Sequence, residues 1–241
     1  MPPSISQPAP QAAVICVFCG AAAGSNPVYL EAARALALHF HQNNIQLVYG
    51  GGTVGLMGEL AKTLVSLSGP EAVHGVIPNA LLLVEEGHKD NHVFHGTNSH
   101  REGAKVERIV DSEQSSTLQY GKVTVVPDMH TRKRLMAEKV QAGGPGSGFV
   151  ALPGGFGTME EIMEMTTWNQ LGIQRRGVAL LNINGYWNSL LSWVQTAVKD
   201  GFLSPRNAEI LVEITDPNEV FATLQQYQLS QDRLALTWED K

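Results

Sequence analysis

The sequence is poor in cysteine, in long apolar runs and in positive charge. It holds two cysteines in 241 residues, and its formal net charge is −6. No apolar run reaches the roughly 20 residues that a membrane-spanning helix needs. A chain with a net negative charge is also a poor partner for a nucleic-acid backbone. These absences argue against a membrane protein and against a nucleic-acid-binding protein.

The two cysteines, Cys16 and Cys19, form a lone C-x-x-C motif inside an apolar run. A redox pair with this spacing normally opens a helix, whereas this run predicts a strand. Residues three apart on a strand point to opposite faces, so the two sulfur atoms could not easily form a disulfide. A zinc site would need two further ligands in a comparable cluster. The motif therefore predicts two buried structural thiols.

The composition is typical of a soluble protein with a substantial core, because 43% of the residues are apolar and 17% are charged. Residues 1–12 are rich in proline, glutamine, serine and alanine. They lack the basic start and apolar block of a signal peptide, so we expect a disordered N-terminal arm and a cytosolic protein.

Between residues 13 and 227, short apolar segments alternate with amphipathic ones, which predicts a single α/β domain. Seven strands are expected, at residues 14–19, 45–49, 73–77, 122–126, 149–152, 178–181 and 210–214. Strands separated by helices indicate a parallel sheet with helices on both faces. In such sheets ligands bind at the carboxyl ends of the strands, so we expect the site at that edge.

Two stretches interrupt the alternation. Residues 79–121 are too long for an ordinary connection, and they hold four of the eight histidines: His88, His92, His95 and His100. Their surroundings are polar and offer no supporting ligands at useful spacing, so we expect a solvated loop with some helix and no metal. The tail, residues 228–241, contains Trp238 among charged residues, and the pattern predicts no role for it.

The strongest functional signal lies at residues 148–161, where an apolar strand leads into three glycines and then a helix. The glycines are Gly154, Gly155 and Gly157. They let the backbone turn sharply and approach a ligand closely. Thr158 is expected to cap a helix over residues 159–172. Strand, glycine turn and helix N-terminus together form an anion site, and phosphate is the usual anion.

Two carboxylates, Glu160 and Glu161, stand just inside this predicted helix. A phosphate site beside a carboxylate suggests chemistry on a group attached to the phosphate. However, Thr158-x-x-Glu161 is also a capping box, in which Glu161 would only bond back to the N–H of Thr158. The spacing leaves both interpretations open.

A second glycine turn, Gly50-x-Gly52-x-x-Gly55, follows the second predicted strand. It matches the dinucleotide fingerprint weakly, because the fingerprint belongs after the first strand and no acidic residue ends the third strand. No Walker lysine accompanies it. It predicts either a second close approach to a nucleotide monophosphate, through Gly51 and Gly52, or a tight turn with close helix-to-sheet packing.

A basic run within residues 128–134 follows the fourth predicted strand and opens a helix. Basic residues in a first helical turn oppose the helix dipole. A solvated basic face is the common explanation of such a run. Its location at the carboxyl end of a strand favours a role in ligand binding.

Taken together, these motifs resemble those of one family. Residues 153–161 match its P-G-G-x-G-T-x-x-E motif, and residues 129–133 match its M-H-x-R-K motif. Further similarities lie at residues 17–20, 49–58, 168–173 and 184–191. From about residue 14 to residue 227 the chain resembles the LONELY GUY proteins, which are cytokinin riboside 5′-monophosphate phosphoribohydrolases long mislabelled as lysine decarboxylases.

The resemblance implies a Rossmann-like fold, a homodimer, no metal and no redox cofactor. It implies hydrolysis of the N-glycosidic bond of an N6-modified AMP, which gives a free cytokinin base and ribose 5-phosphate. The stretch at residues 95–121 is longer than in plant members and is expected to be an insertion. The extended tail is a further departure.

Matched position by position, the resemblance makes Arg132 and Glu161 the catalytic pair. The residues that it implies in substrate binding are Glu85, Lys133, Gly154, Gly155, Gly157, Thr158, Glu160 and Thr167. Near Glu85 the chain departs from the family, because Leu83 and Val84 stand where proline and arginine are expected.

Two other functions are compatible with the same residues. One is a broader hydrolase that acts on AMP itself. The other is a non-catalytic carrier of a nucleotide-type cofactor, which is disfavoured because a carrier has no need of Arg132 and Glu161 together.

Overall fold

The apolar segments of the chain assemble into one eight-stranded sheet in the computed structural model, which describes residues 11–86, 108–109, 118–234 and 236–238. The strands are β1 Val14–Phe18, β2 Gln46–Tyr49, β3 Val73–Pro78, β4 Arg108–Ile109, β5 Lys122–Val126, β6 Gly148–Ala151, β7 Gly177–Leu181 and β8 Leu211–Ile214. Every strand predicted from the sequence is present, and each boundary lies within one residue of its expected position.

The sheet has the strand order β4-β5-β3-β2-β1-β6-β7-β8. Seven of its strands are parallel, as predicted, and β4 is antiparallel to β5 at one edge. The sequence did not predict β4, because two residues in a polar stretch are too short to show a periodic pattern.

Helices cover both faces of the sheet, as predicted. They are α1 Val28–Gln42, α2 Gly55–Ser68, α3 Asn79–Glu86, α4 Met129–Ala142, α5 Phe156–Gln170, α6 Asn188–Lys199, α7 Pro205–Ala208 and α8 Val220–Gln226. One apolar core lies between the sheet and α1, α2 and α8, and a second lies between the opposite face and α4, α5 and α6. The protein therefore has the three-layer α/β architecture of a Rossmann-like fold.

The cysteines divide between the two cores, as their spacing predicted. Cys16 packs among the residues beneath α4 and α5, and Cys19 packs on the opposite face with α1 and α2. Both thiols are free and buried, and burial raises the pKa of each well above its usual range. They are structural thiols.

Strand β1 marks the point where the direction of winding reverses. The chain adds β2, β3 and β5 on one side of β1 and then returns to place β6 on the other side. A crevice forms outside the carboxyl ends of the strands at such a switch point. The loops after β1 and β6 meet there: Gly20 N donates to Pro153 O at 3.0 Å.

The tail packs back along α5. Leu234 N donates to the carbonyl of Gln170 at 2.8 Å, and the indole N–H of Trp238 donates to the carbonyl of Leu171 at 3.1 Å. The tail thus satisfies carbonyl groups at the end of α5 that have no partner within the helix.

Several predictions concern residues outside this description. They are the first ten residues of the N-terminal arm, most of the 95–121 stretch, and the histidines His88, His92, His95 and His100. Within the described ranges, no helix is long and apolar enough to span a bilayer. The same ranges contain no group of three potential metal ligands.

Candidate active site

A cleft of about 280 Å³ opens at the carboxyl edge of the sheet, at the switch point beside β1. Four segments line it: the end of β1 and the following turn (residues 17–21), Gly50 with Met57, Met129 with Arg132, and the start of α5 with Gly155, Gly157, Thr158, Glu160 and Glu161. Both motifs on which the family resemblance depends therefore meet in one cleft.

Helix α5 begins three residues earlier than the sequence predicted. Its first residue is Phe156, and Gly155 occupies the N-cap position with extended backbone and no side-chain cap. Thr158 is the third residue of the helix, so its prediction as the cap is wrong. Glycine is an acceptable N-cap, and it leaves the first-turn N–H groups without a side-chain acceptor. These groups face the edge where the cleft lies and suit an anion.

The position of Gly155 also rules out the capping box. A capping box requires the acidic residue three positions after the N-cap. Glu161 lies six positions after Gly155, in the second turn of α5. Its carboxylate is therefore not a helix cap and is available to the cleft.

Glu161 contacts Arg132 at the floor of the cleft. Nη2 of Arg132 lies 3.2 Å from Oε1 of Glu161, and both side chains are about nine-tenths buried. The two groups are not aligned for a hydrogen bond, and neither Glu161 Oε1 nor Arg132 Nε has a hydrogen-bond partner among the described residues. A buried, incompletely satisfied ion pair has capacity for further hydrogen bonds to a ligand.

Burial raises the pKa of Glu161 to about 7. The guanidinium of Arg132 acts in the opposite direction and favours the carboxylate, but its effect is smaller than that of burial. The nearby carboxylate of Glu160 raises the pKa further. A carboxyl group with this pKa exchanges its proton near neutral pH, which suits a general acid or base.

Gly50 provides the space that Arg132 occupies. A Cβ atom at this position would lie 2.1 Å from Nη2 of Arg132 and 3.2 Å from Sδ of Met57. Any larger residue would displace the guanidinium from its place beside Glu161. The first glycine of the second turn therefore makes room for the arginine.

The rest of the second glycine turn serves packing. The N–H groups of Leu56 and Met57, at the start of α2, both donate to the carbonyl of Gly20. Gly51 and Gly52 are buried and do not line the cleft, and Gly51 packs on Ile77 of β3. These contacts favour the packing interpretation of this turn, and contact of Gly51 and Gly52 with substrate stays a prediction.

Lys133 is held by two carboxylates of the neighbouring helix. Its ammonium group forms ion pairs with Glu160 and, at 3.1 Å, with Glu164. Burial lowers the pKa of Lys133, but the two carboxylates raise it more, so the net shift is upward. Sequence reasoning missed Glu164, although its position four residues after Glu160 places both on one face of α5.

The remaining predicted site residues lie at different distances from the cleft. Gly154 belongs to the turn before α5, and a Cβ there would collide with Oγ1 of Thr158 at 2.1 Å. Thr167 is exposed and about 13 Å further along α5 than Thr158, outside the cleft. Glu85 lies in α3, and its side chain is outside the described part of the structure.

A second cavity, of about 300 Å³, lies at the opposite, amino ends of the strands. It is lined by His74, Lys122 and Lys139 among others. Burial and the two lysines lower the pKa of His74 to about 4, so this histidine is neutral. The ion pair that lines this cavity, between Lys122 and Glu71, is exposed, unlike the buried Arg132–Glu161 pair. Ligands of parallel α/β sheets bind at the other edge.

The fold and the cleft define an α/β protein in which an uncapped helix N-terminus lies beside a buried carboxylate. The fold is shared with the molybdenum cofactor carrier protein of Chlamydomonas reinhardtii, at a TM-score of 0.55 and 17% identity. That alignment covers 90% of this chain and 98% of the carrier.

The family model described as "Possible lysine decarboxylase" matches residues 57–224. A cytokinin riboside 5′-monophosphate phosphoribohydrolase of Arabidopsis thaliana is 38% identical over 94% of this chain and 88% of its own length. The chain therefore belongs to this family, which includes the cytokinin riboside 5′-monophosphate phosphoribohydrolases.

A bifunctional cytokinin biosynthesis protein of Fusarium pseudograminearum is more similar, at 48% identity over 207 residues. The match covers 86% of this chain, and the chain spans only 38% of the length of that relative.

The raised pKa of Glu161 predicts how stability depends on pH. Between about pH 4.5 and pH 7 the folded protein retains a proton on Glu161 that the unfolded chain releases, so rising pH lowers the free energy of unfolding. Glu161→Gln does not titrate. The free energy of unfolding of this variant, relative to the parent, should rise by about 3 kcal/mol between pH 4.5 and pH 8.

Denaturant unfolding of both proteins across this range measures the difference. Glu138→Gln is the matched control, because Glu138 is an exposed carboxylate on α4, and its profile should parallel that of the parent. A Glu161→Gln profile that also parallels the parent would show that Glu161 has an ordinary pKa.

Proposed function

We propose that this protein is an N-glycosyl hydrolase that cleaves cytokinin riboside 5′-monophosphates to a free cytokinin base and ribose 5-phosphate. The observation that carries the proposal is the buried Arg132–Glu161 pair, which lies in the cleft beside the uncapped start of α5. The names of the curated relatives support the same activity. The cleft thus combines a helix N-terminus that suits an anion with a carboxyl group whose pKa is near neutral pH.

The 5′-phosphate of the substrate would bind at the start of α5. Gly155 and Gly157 are exposed there, have open space around their Cα atoms, and let a phosphate approach the backbone closely. The N–H groups of the first turn and the helix dipole both favour a dianion. The phosphate would supply binding energy remote from the bond that breaks.

Glu161 would act on the ribose and on the attacking water. Cleavage of a ribosyl C–N bond passes through an oxocarbenium-like state, with positive charge on the sugar and negative charge on the departing base. A carboxylate can stabilise that cation, hold a ribose hydroxyl or accept a proton from the water. The oxygen of Glu161 that lacks a hydrogen-bond partner is suited to these contacts.

Arg132 would orient Glu161 and stabilise charge. A guanidinium stays protonated near pH 7, so it is not a proton donor in the reaction. Lys133, with Glu160 and Glu164, would hold the α4 side of the cleft against α5. Gly154, Thr158, Lys133 and Glu160 complete the proposed substrate site. Thr167 and Glu85 remain predictions from the resemblance.

The proposal includes no metal and no redox cofactor, since glycosidic cleavage needs no Lewis acid when a carboxylate and an arginine are in place. It also includes a cytosolic location. A nucleoside monophosphate is charged and does not cross membranes unaided, so the enzyme has to share the compartment in which its substrate is made.

The first test follows release of the base by chromatography. We expect isopentenyladenosine monophosphate to lose its base, whereas the corresponding riboside should have a kcat/KM on the order of a hundredfold lower, because it lacks the phosphate contacts. AMP tests, in the same assay, the alternative of a broader phosphoribohydrolase that cleaves unmodified nucleoside monophosphates. Equal kcat/KM for monophosphate and riboside would contradict the phosphate site. If neither monophosphate loses its base, a nucleotide-type carrier becomes the better explanation.

The second test concerns the role of Glu161. Glu161→Gln removes the negative charge and the ability to accept a proton, so the single-turnover rate should fall roughly a hundredfold or more. Glu138→Gln changes an exposed carboxylate outside the cleft and should leave the rate within about twofold. A Glu161→Gln enzyme that remains active would move the catalytic role to Glu160.

We also propose a homodimer. Phe156 is 97% exposed at the start of α5, and Met159, Met163 and Trp168 on the same helix are only partly buried. An apolar surface of this kind favours a protein partner, and a second copy is the partner that the family resemblance implies. Light scattering at micromolar concentration should return about twice the chain mass of 26.1 kDa. A mass that stays at that of one chain would contradict the proposal.

A further inference from the structure

Three carbonyl groups, at the end of β6 and in the turn that follows it, accept hydrogen bonds from two other segments, the loop after β7 and the loop after β1. The indole N–H of Trp187 donates to Ala151 O at 3.2 Å, and Gly20 N donates to Pro153 O at 3.0 Å. The third is Gly154, whose carbonyl accepts a hydrogen bond from the hydroxyl of Tyr186.

The Gly154–Gly155 peptide is the part of this turn whose orientation has to be stabilised by a neighbouring segment. It has glycine on both sides, so no Cβ restricts its rotation. In a trans peptide the C=O and N–H groups point in opposite directions. The side on which the Gly154 carbonyl lies therefore determines where the N–H of Gly155 points, and Gly155 lines the cleft.

Tyr186 is itself held in place. Its ring packs edge-on against Tyr29 of α1, with centroids 5.9 Å apart, and against Trp187, with centroids 4.9 Å apart. The loop that carries it is anchored by Asn182, whose side-chain oxygen accepts from Trp187 N at 2.7 Å. Gly24 leaves room for the Tyr29 ring, because a Cβ there would lie 2.8 Å from Cδ2 of Tyr29.

We propose that Tyr186 is a positioning residue for the phosphate site. Its hydroxyl fixes the orientation of the Gly154–Gly155 peptide, and so directs the backbone N–H groups of the turn toward the 5′-phosphate. The inference rests on the proposed function for the identity of the ligand. Tyr186 lies on the loop after β7, outside both glycine motifs, and in this proposal it controls the affinity of the site for the phosphate group.

Tyr186→Phe tests the role of the hydroxyl, because it keeps the ring contacts with Tyr29 and Trp187 and removes only the hydrogen bond. The KM for the nucleoside monophosphate and the dissociation constant for ribose 5-phosphate, measured by calorimetry, should each rise about two- to tenfold, the range for loss of one neutral hydrogen bond. The kcat should stay within about twofold. Inhibition by free adenine, which has no phosphate, should not change.

Tyr29→Phe is the matched control. It removes a hydroxyl from the adjacent ring of the same aromatic cluster, and that hydroxyl makes no contact with the turn among the described residues. This variant should bind ribose 5-phosphate as the parent does. Thermal melts of both variants establish that they are folded.

Three outcomes would overturn the inference. They are an unchanged affinity for ribose 5-phosphate in Tyr186→Phe, an equal weakening of ribose 5-phosphate and adenine, and a fall in kcat at constant KM. A different result would contradict the proposed function, namely that the parent protein releases no base from the nucleoside monophosphate. In that case the binding of ribose 5-phosphate to the parent and to Tyr186→Phe still tests the role of the hydroxyl.

Discussion

The buried contact between Arg132 and Glu161 is the constraint on which the rest of the cleft depends. Removing two charged groups from water costs several kcal/mol per ion, and a single contact without an aligned hydrogen bond repays that cost incompletely. The contact between Arg132 and Glu161 is maintained because α4 and α5 pack on the same face of the sheet and because Gly50 leaves space for the guanidinium. Lys133, between Glu160 and Glu164, joins the same two helices a second time.

The glycines of the two turns have different structural roles. At the start of α5 they leave N–H groups uncovered at the cleft. At the start of α2 the corresponding N–H groups donate to Gly20, and the glycines permit close packing against the loop after β1 and against β3. Only one of two similar motifs is therefore suited to bind an anion. The difference arises because a neighbouring loop covers one helix end and leaves the other open.

The sequence predicted most of the fold and a large part of the cleft. Strand boundaries were accurate because each parallel strand is a short apolar run ended by glycine, proline or polar residues. The cap of α5 was predicted wrongly, because both Thr158 and Gly155 are acceptable N-caps and the choice depends on the backbone conformation of Gly155. The roles of Gly50 and Tyr186 could not be predicted, because each depends on a contact with a distant segment.

The sequence by itself determined the α/β alternation, the edge of the sheet at which the cleft opens and the residue types of the candidate site, because periodicity and short motifs are local properties of a chain. The tertiary structure decided what each of those residues contacts. It removed Glu161 from a capping role, placed it beside Arg132 and raised its pKa through burial. Burial and distance between residues far apart in the chain are set by packing, and no local pattern encodes them.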